Sequence, residues 1–307
     1  MDCYLHIGTG KTGTTTIQRF LATNRQALLE QGVCVPRAPG KTRHTGLYLY
    51  ALDDDRVVRT GRWQRHKDTG PDQVREGFAS SFAAEIAGVD AAAVVLSDEG
   101  LAGLKPAEIR RLKALLQPLF ANIHVVIYLR RQDEHVVSRY LQTLAGGNTA
   151  TLEQHMALNH SRTYDYHTKL NHWAKHFQPA SLRPRLFDRR EFLGGSLMED
   201  FLAAIDVSGA GPFTGTPDQN FSLDARRAEV VRMLNARVLR GNNRLVSAVR
   251  RKLVRHLAQT SRGARLTLPG AVADDFMARW AASNAAVARD YFNRPDGELY
   301  RPISTLK

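Results

Sequence analysis

Lys11 stands in a glycine-rich turn, Gly8-Thr9-Gly10-Lys11-Thr12-Gly13, between an apolar strand and a run of threonines that opens a helix. Glycines allow backbone N–H groups to approach an anion, and a helix N-terminus adds partial positive charge. Lys11 adds a full charge. Thr12, Thr14, Thr15 and Thr16 supply hydroxyls, and Gly13 the sharp entry into the helix. The chemistry this spacing suits is the holding of a phosphorylated ligand. Two further polar groups stand where strands end: Ser97-Asp98-Glu99, and Arg130-Arg131.

These residues need a scaffold that gathers strand ends. Asp2–Ile7, Val33–Val35, Ala91–Leu96 and Ile123–Leu129 read as short, near-continuously apolar strands and Leu182–Phe187 as another strand, and helical patterns alternate with them through residue 205. Helices are expected over Thr14–Gln31, Asp72–Ala87, Pro106–Phe120, from Arg131 through Leu144, and over 151–158, 163–177 and 196–204. The alternation predicts an α/β fold, a parallel sheet covered by helices on both faces. Right-handed crossovers place every strand's C-terminal end on one edge, where ligands bind. Residues 36–72 read as a long irregular loop with an apolar segment at Leu47–Leu52, and 208–217 as a linker. Beyond it, 222–258 and 270–292 read as helices. The expected organisation is a core over 1–207 with a basic helical C-terminal region over 208–307, together one domain.

Three phosphate-loop patterns compete for the turn. Gly10-Lys11-Thr12 fits the tail of G-x-x-x-x-G-K-[ST], but its leading glycine would fall on Leu5. Gly8, Gly10 and Gly13 fit G-x-G-x-x-G, but the second strand ends Val35-Pro36-Arg37, with no acidic residue to hold a ribose. The third pattern is Lys-x-Gly-Thr-Thr, met by Lys11-Thr12-Gly13-Thr14-Thr15. A second signature goes with it: a strand ending in Arg, with Ser eight residues later on the next helix. Arg130 and Ser138 have that spacing, in Tyr128-Leu129-Arg130 through Ser138-Arg139-Tyr140.

With both motifs in order, the chain resembles the sulfotransferases that use 3′-phosphoadenosine-5′-phosphosulfate (PAPS), in particular bacterial members acting on carbohydrates and small molecules. The likeness is good over residues 1–150 and looser to 205. Leu186-Phe187-Asp188-Arg189, Asp200-Phe201-Leu202 and Ser283-Asn284 through Tyr291-Phe292 carry it further. The resemblance implies a P-loop-type fold and a sulfuryl transfer from PAPS to a hydroxyl or amine. It assigns the 5′-phosphosulfate to Lys11, Thr12, Gly13, Thr14, Thr15 and Thr16, and the 3′-phosphate to Arg130 and Ser138. A base must take the acceptor's proton. Glu99 is the first candidate, with Asp98 its neighbour and His44 the rival. No His/Cys/Asp cluster has metal-ligand spacing, so no metal is expected.

The acceptor is expected to be a carbohydrate or small molecule. Trp63, Tyr48, Tyr50, Trp173 and His167 are candidates to line its site. Lys+Arg 43 against Asp+Glu 30 gives a net charge of +13, which favours polyanionic partners and allows an anionic acceptor. No acidic residue occurs from Val230 to Ala273, which holds Arg232, Arg237, Arg240, Arg244, Arg250, Arg251, Lys252, Arg255, Arg262 and Arg265. That stretch reads either as a solvated face or as a docking surface. A P-loop kinase or nucleotidase, and a non-enzymatic polyanion binder, are the alternative functions. A nucleic-acid partner is not favoured, and oligomeric state is not legible. Hydrophobic content of 43% without a ~20-residue apolar run argues against a membrane span. The lack of a leader-like N-terminus and the two cysteines, Cys3 and Cys34, point to a reducing, cytoplasmic setting.

Overall fold

A computed structural model describes residues 1–61, 63, 69–208, 211–215, 223–239, 244–261 and 263–300. Within them the chain divides into two compact units. The first comprises Met1–Leu129, Tyr166–Pro217 and Tyr291–Asn293; the second Arg130–Asp165, Asp218–Asp290 and Arg294–Lys307.

The first unit is built on five parallel strands: β1 (Asp2–His6), β2 (Val33–Cys34), β3 (Ala93–Ser97), β4 (Asn122–Leu129) and β5 (Leu182–Leu186). They lie in the order β2-β3-β1-β4-β5, so β1 is central. Its helices are α1 (Thr14–Thr23), α2 (Arg25–Leu29), α3 (Thr45–Ala51), α4 (Asp54–Val57), α5 (Pro71–Ala87) and α6 (Pro106–Leu116), followed later in the chain by two more, Tyr166–Phe177 and Leu197–Ala204. Successive strand residues face opposite sides of the sheet. Tyr4, Val95, Val126 and Tyr128 meet Ile17, Phe20 and Leu21 of α1, with Phe201 and Leu202 of the Leu197–Ala204 helix. Each such fully buried side chain stabilises the layer by roughly 1.5–3 kcal/mol. On the other face, buried Leu5, Leu96, Val125, Ile127 and Leu129 face the side on which α6 and the Tyr166–Phe177 helix pack. The result is the expected α/β sandwich.

The second unit is helical: α7 (Gln132–Ala145), α8 (Leu152–Met156), α9 (Ser161–Tyr164), then, after the helices numbered α10 (Tyr166–Phe177) and α11 (Leu197–Ala204), α12 (Ala225–Arg237), α13 (Arg244–Gln259), α14 (Gly270–Ala278) and most of α15 (Ala281–Phe292). One apolar face of α7 buries Val136 and Val137 with Met156, Tyr164 and Phe276. Tyr140 and Leu144 pack with Leu223, Ala228 and Val231. The division between units falls at Leu129/Arg130, at Asp165/Tyr166, near 217 and around Tyr291–Asn293, where the sequence suggested one boundary at 207 within one domain. The apolar positions of α7 are spent on C-terminal helices.

Two local expectations also change. The helix expected over Thr14–Gln31 breaks at Asn24, whose amide donates to Phe20 O at 2.9 Å and Thr214 O at 3.0 Å while its carbonyl accepts from Thr214 N–H at 2.7 Å. The apolar segment at Leu47–Leu52 is helix α3, with Leu47, Ala51 and Leu52 buried. Of the expected linker, residues 209–210 and 216–217 lie outside the described set.

Candidate active site

The β1–α1 turn is a chain of left-handed residues: Gly8 (φ 51°), Gly10 (φ 61°), Lys11 (φ 58°) and Gly13 (φ 71°). Alternating backbone of this kind turns successive N–H groups towards one concavity. Two of the glycines are sterically required as well. A Cβ on Gly8 would stand 2.6 Å from Thr14 Cγ2, and one on Gly13 would stand 2.3 Å from Leu197 Cδ2. Gly13 caps α1 with no side-chain cap, and the first turn carries no acidic residue. The N–H groups of Thr14–Thr16, which have no intrahelical acceptor, remain for an anion. The turn is anchored below by Ile7 N–H to Val126 O (3.0 Å) and by the Thr9 hydroxyl to Tyr128 O (2.8 Å). Thr12 is fully buried, and its hydroxyl finds no partner among the described residues. A buried donor of this kind is expected to meet a ligand or water oxygen.

Sheet register brings the acidic strand end to this turn. His6 pairs with Ser97 across β1 and β3, so Gly8 and Glu99, each two residues on, are neighbours. A Cβ at Gly8 would lie 3.2 Å from Glu99 Cα. The Thr14 hydroxyl donates to Glu99 Oε2 at 2.7 Å, so it serves the carboxylate where the sequence suggested a phosphate donor.

Arg43, absent from the sequence-derived candidates, organises this corner. Its Nε donates to Asp98 Oδ2 at 2.6 Å, its Nη2 to Asp98 Oδ1 at 2.8 Å, and its Nη1 to Glu99 Oε1 at 3.0 Å. Burial works against the guanidinium's charge, but the Asp98 hydrogen bonds and the two carboxylates outweigh it and raise its pKa above the ordinary value. Asp98 is fully buried and also accepts from Gly100 N–H at 2.7 Å. Glu99 is one-third exposed. Of the two adjacent carboxylates, Glu99 is the one that solvent reaches. The only sequence signal for Arg43 is that a buried carboxylate at a strand end requires a cation, and nothing in the spacing says which cation.

His44 is 1% exposed. Its Nδ1 accepts the Ser97 N–H at 3.1 Å, so the ring proton sits on Nε2 and no lone pair is left for an acceptor's proton. Burial, with Arg25 nearby, holds its pKa down at about 4. His6, also buried, lies 2.8 Å from the Ser97 hydroxyl through Nδ1, and burial lowers its pKa to about 4. Both imidazoles are neutral at pH 7 and fix the end of β3 from either side.

The candidate acceptor residues separate. Tyr50 and Trp63 line a common cavity. Tyr48 lies against Gly100, where a Cβ would come 2.8 Å from its ring. Trp173 is core, stacked on Phe177 at 5.6 Å. His167 is half-buried near Asn171.

Arg130 directly follows the last residue of β4, and Ser138 lies two turns along α7; both belong to the second unit. Arg130 meets the Glu134 carboxylate from Nη2 at 3.2 Å and is 22% exposed. Ser138 is half-buried. In the basic C-terminal stretch, Arg250 is not a surface charge. It is 2% exposed and donates to Asn235 Oδ1 at 3.1 Å, Gly146 O at 3.2 Å and Leu239 O at 2.7 Å. Arg232 pairs with Glu229. Arg237, Arg251, Lys252, Arg255 and Arg265 are exposed, Arg240 and Arg262 lie outside the described residues, and so does the side chain of Arg244. No group of three or more His, Cys, Asp or Glu side chains that could hold a metal occurs among the described residues. No helix among them is long and apolar enough to cross a membrane.

No protein-family model matches the chain. It is 27% identical over 205 residues to an uncharacterized protein of Archaeoglobus fulgidus, an alignment covering 65% of this chain and 54% of that protein. The chain thus spans about half the length of the curated relative it matches. Among solved structures, it is similar to a sulfotransferase from Alicyclobacillus acidocaldarius, with a TM-score of 0.44 and 13% identity over 82% of this chain and 95% of that one.

Proposed function

We propose that this chain is a sulfotransferase that moves a sulfuryl group from PAPS to a hydroxyl or amine of a carbohydrate or small-metabolite acceptor. The observation that carries the reading is the β1–α1 turn: four left-handed residues, an uncapped helix N-terminus and a buried unpartnered threonine hydroxyl, with a carboxylate hydrogen-bonded to the same turn. The sequence pair Arg130 and Ser138 supports PAPS over other phosphorylated donors, because a 3′-phosphate needs its own charged fork and hydroxyl.

In this reading Lys11 and the N–H groups of Gly13–Thr16 hold the 5′-phosphate end of the donor, and Arg130 and Ser138 hold its 3′-phosphate. Glu99 is the base, because it is the more exposed of the two carboxylates, and buried Asp98 holds the Arg43 that contacts it. The acceptor oxygen forms a bond to sulfur as the bond from sulfur to the phosphate oxygen breaks. The acceptor's proton passes to Glu99, and 3′-phosphoadenosine-5′-phosphate departs with its new charge met by Lys11. Catalysis is mostly positioning and charge stabilisation, as in phosphoryl transfer.

Transfer of labelled sulfate from PAPS to an acceptor library tests the reading. Lys11→Ala is expected to abolish transfer and leave the fold intact. Arg130→Ala is expected to raise the donor KM more than it lowers kcat at saturating donor. Full activity in Lys11→Ala, or a change confined to kcat in Arg130→Ala, would remove the assigned roles. Transfer of phosphate from Mg2+-ATP would favour a kinase instead.

A further inference from the structure

Helix α13 (Arg244–Gln259), in the second unit, has two faces of different kinds. Its inner face sets Val254, Leu257 and Ala258 on the core around Tyr140 and Leu144. The same face buries Arg250, which donates to Asn235, Gly146 and Leu239. Those contacts account for the helix's place in the fold.

The outer face mixes cations with large aliphatic side chains. Leu245 is 79% exposed and Val249 is 56% exposed. With Lys252 they fall at i, i+4 and i+7, a single stripe along the helix. Arg251 and Arg255 stand beside that stripe on the exposed side. Val238, at the end of α12, is 68% exposed, and Leu239 next to it accepts from Arg250 Nη2 at 2.7 Å, so a third exposed aliphatic residue adjoins α13. Arg232 of α12 has a carboxylate of its own, Glu229. The cations of α13 have none on their helix, because no acidic residue occurs from Val230 to Ala273.

Three occupants could meet this face, and its composition separates them. A dissolved polyanion would neutralise the cations and leave Leu245 and Val249 in water, since its binding comes from counterion release. A second copy of the chain would cover the aliphatic residues, but a two-fold contact would set Arg251, Lys252 and Arg255 against their own equivalents. An anionic bilayer offers both partners at once: charged headgroups for the cations and an acyl boundary for the aliphatic side chains. We propose that the outer face of α13 is a docking surface for an anionic lipid bilayer. Leu245 and Val249 enter the headgroup boundary, and Arg251, Lys252 and Arg255 meet lipid phosphates and carboxylates. The helix lies along the surface without crossing it, because its opposite face is already spent on the protein core.

Co-sedimentation of the full chain with vesicles tests this, without donor or acceptor. One set of vesicles is phosphatidylcholine alone, and the other contains phosphatidylserine as well. Two variants change only exposed side chains of α13, so the fold should survive both. Arg251→Gln with Lys252→Gln and Arg255→Gln removes the charge; Leu245→Gln with Val249→Gln removes the aliphatic surface and keeps the charge. Thermal unfolding of each serves as the control. Wild type is expected to bind the phosphatidylserine vesicles at about 0.15 M salt, to release them at about 1 M, and to ignore phosphatidylcholine. Each Lys or Arg at such a surface raises affinity about fivefold, so the charge variant should bind about a hundredfold more weakly. The aliphatic variant should bind about tenfold more weakly at the same net charge. Absence of binding, equal binding to both vesicle types, or binding unchanged in the charge variant would overturn the proposal. Loss in the charge variant with wild-type binding in the aliphatic variant would assign the face to a soluble polyanion instead, with heparin as the confirming probe. A dimer in sedimentation velocity that the aliphatic variant dissociates would assign it to a second copy.

Discussion

Removal of the Arg43 guanidinium is the most informative perturbation of the site. Asp98 is fully buried and takes two of its three hydrogen bonds from Arg43, at 2.6 and 2.8 Å. In Arg43→Ala it would keep only the Gly100 N–H. Stranding one partner of a buried ion pair costs about 3–5 kcal/mol. Arg43 is itself a quarter exposed, so water can enter the space it leaves. The lower end, about 3 kcal/mol, is therefore expected. The loss falls on the unfolding of the first unit, followed by urea titration at pH 7 with circular dichroism. Asp98→Asn removes the stranded charge and should itself cost less, about 1 kcal/mol. Because the two residues touch, the double variant should be more stable than the sum predicts, by about 1–2 kcal/mol. Glu99 loses one of its two anchors in Arg43→Ala, so turnover should drop by roughly the hundredfold that a 1 Å misplacement produces. A stability loss below about 1 kcal/mol, or strict additivity in the double variant, would refute the claim that Arg43 and Asp98 act as one structural pair.

Three further outcomes follow from the geometry. His6 and His44 have folded pKa values near 4 against an unfolded value near 6.5, so the unfolded chain binds their protons first as pH falls. Their stabilisation is full above pH 6.5 and is lost towards pH 4. At pH 5 the loss is about 2 kcal/mol for each, read by urea midpoints at pH 7.5 and 5, and a flat profile between those values would contradict it. Lys11 sits at φ 58°, where glycine is at ease, so Lys11→Gly should keep stability within about 0.5 kcal/mol while donor binding disappears; concurrent unfolding would show that Lys11 is structural. Gly13→Ala should destabilise by about 2 kcal/mol through its clash with Leu197 and its φ of 71°, and Leu197→Ala added to it should restore part of the loss; absence of any rescue would assign the whole effect to the backbone.

Much of the first unit was legible because its signals are local. Four apolar strands and the Lys-x-Gly-Thr-Thr turn announce themselves in short windows, and parallel topology follows from the intervening helices. The sheet register that sets Glu99 beside Gly8 is not local, yet placing both at strand ends anticipated it. What was hidden depends on distant partners. Asn24 breaks a helix because its amide is shared with Thr214, 190 residues away. Arg43 sits among other cations in an irregular stretch, and only the folded position of Asp98 gives it meaning. Arg250 has the composition of a solvated charge and is instead a buried fork closing the turn after α7 on Gly146 O. The helical segment α3 looked like loop because seven residues are too few to show a helical period.

Calorimetric titration of the full chain with 3′-phosphoadenosine-5′-phosphate, in EDTA, tests the central claim most directly. Sub-millimolar binding that is lost with 5′-AMP and in Lys11→Ala, and weakened in Arg130→Ala, is the expected result. No binding, or nucleotide binding that appears only when Mg2+ and ATP are supplied, would contradict it.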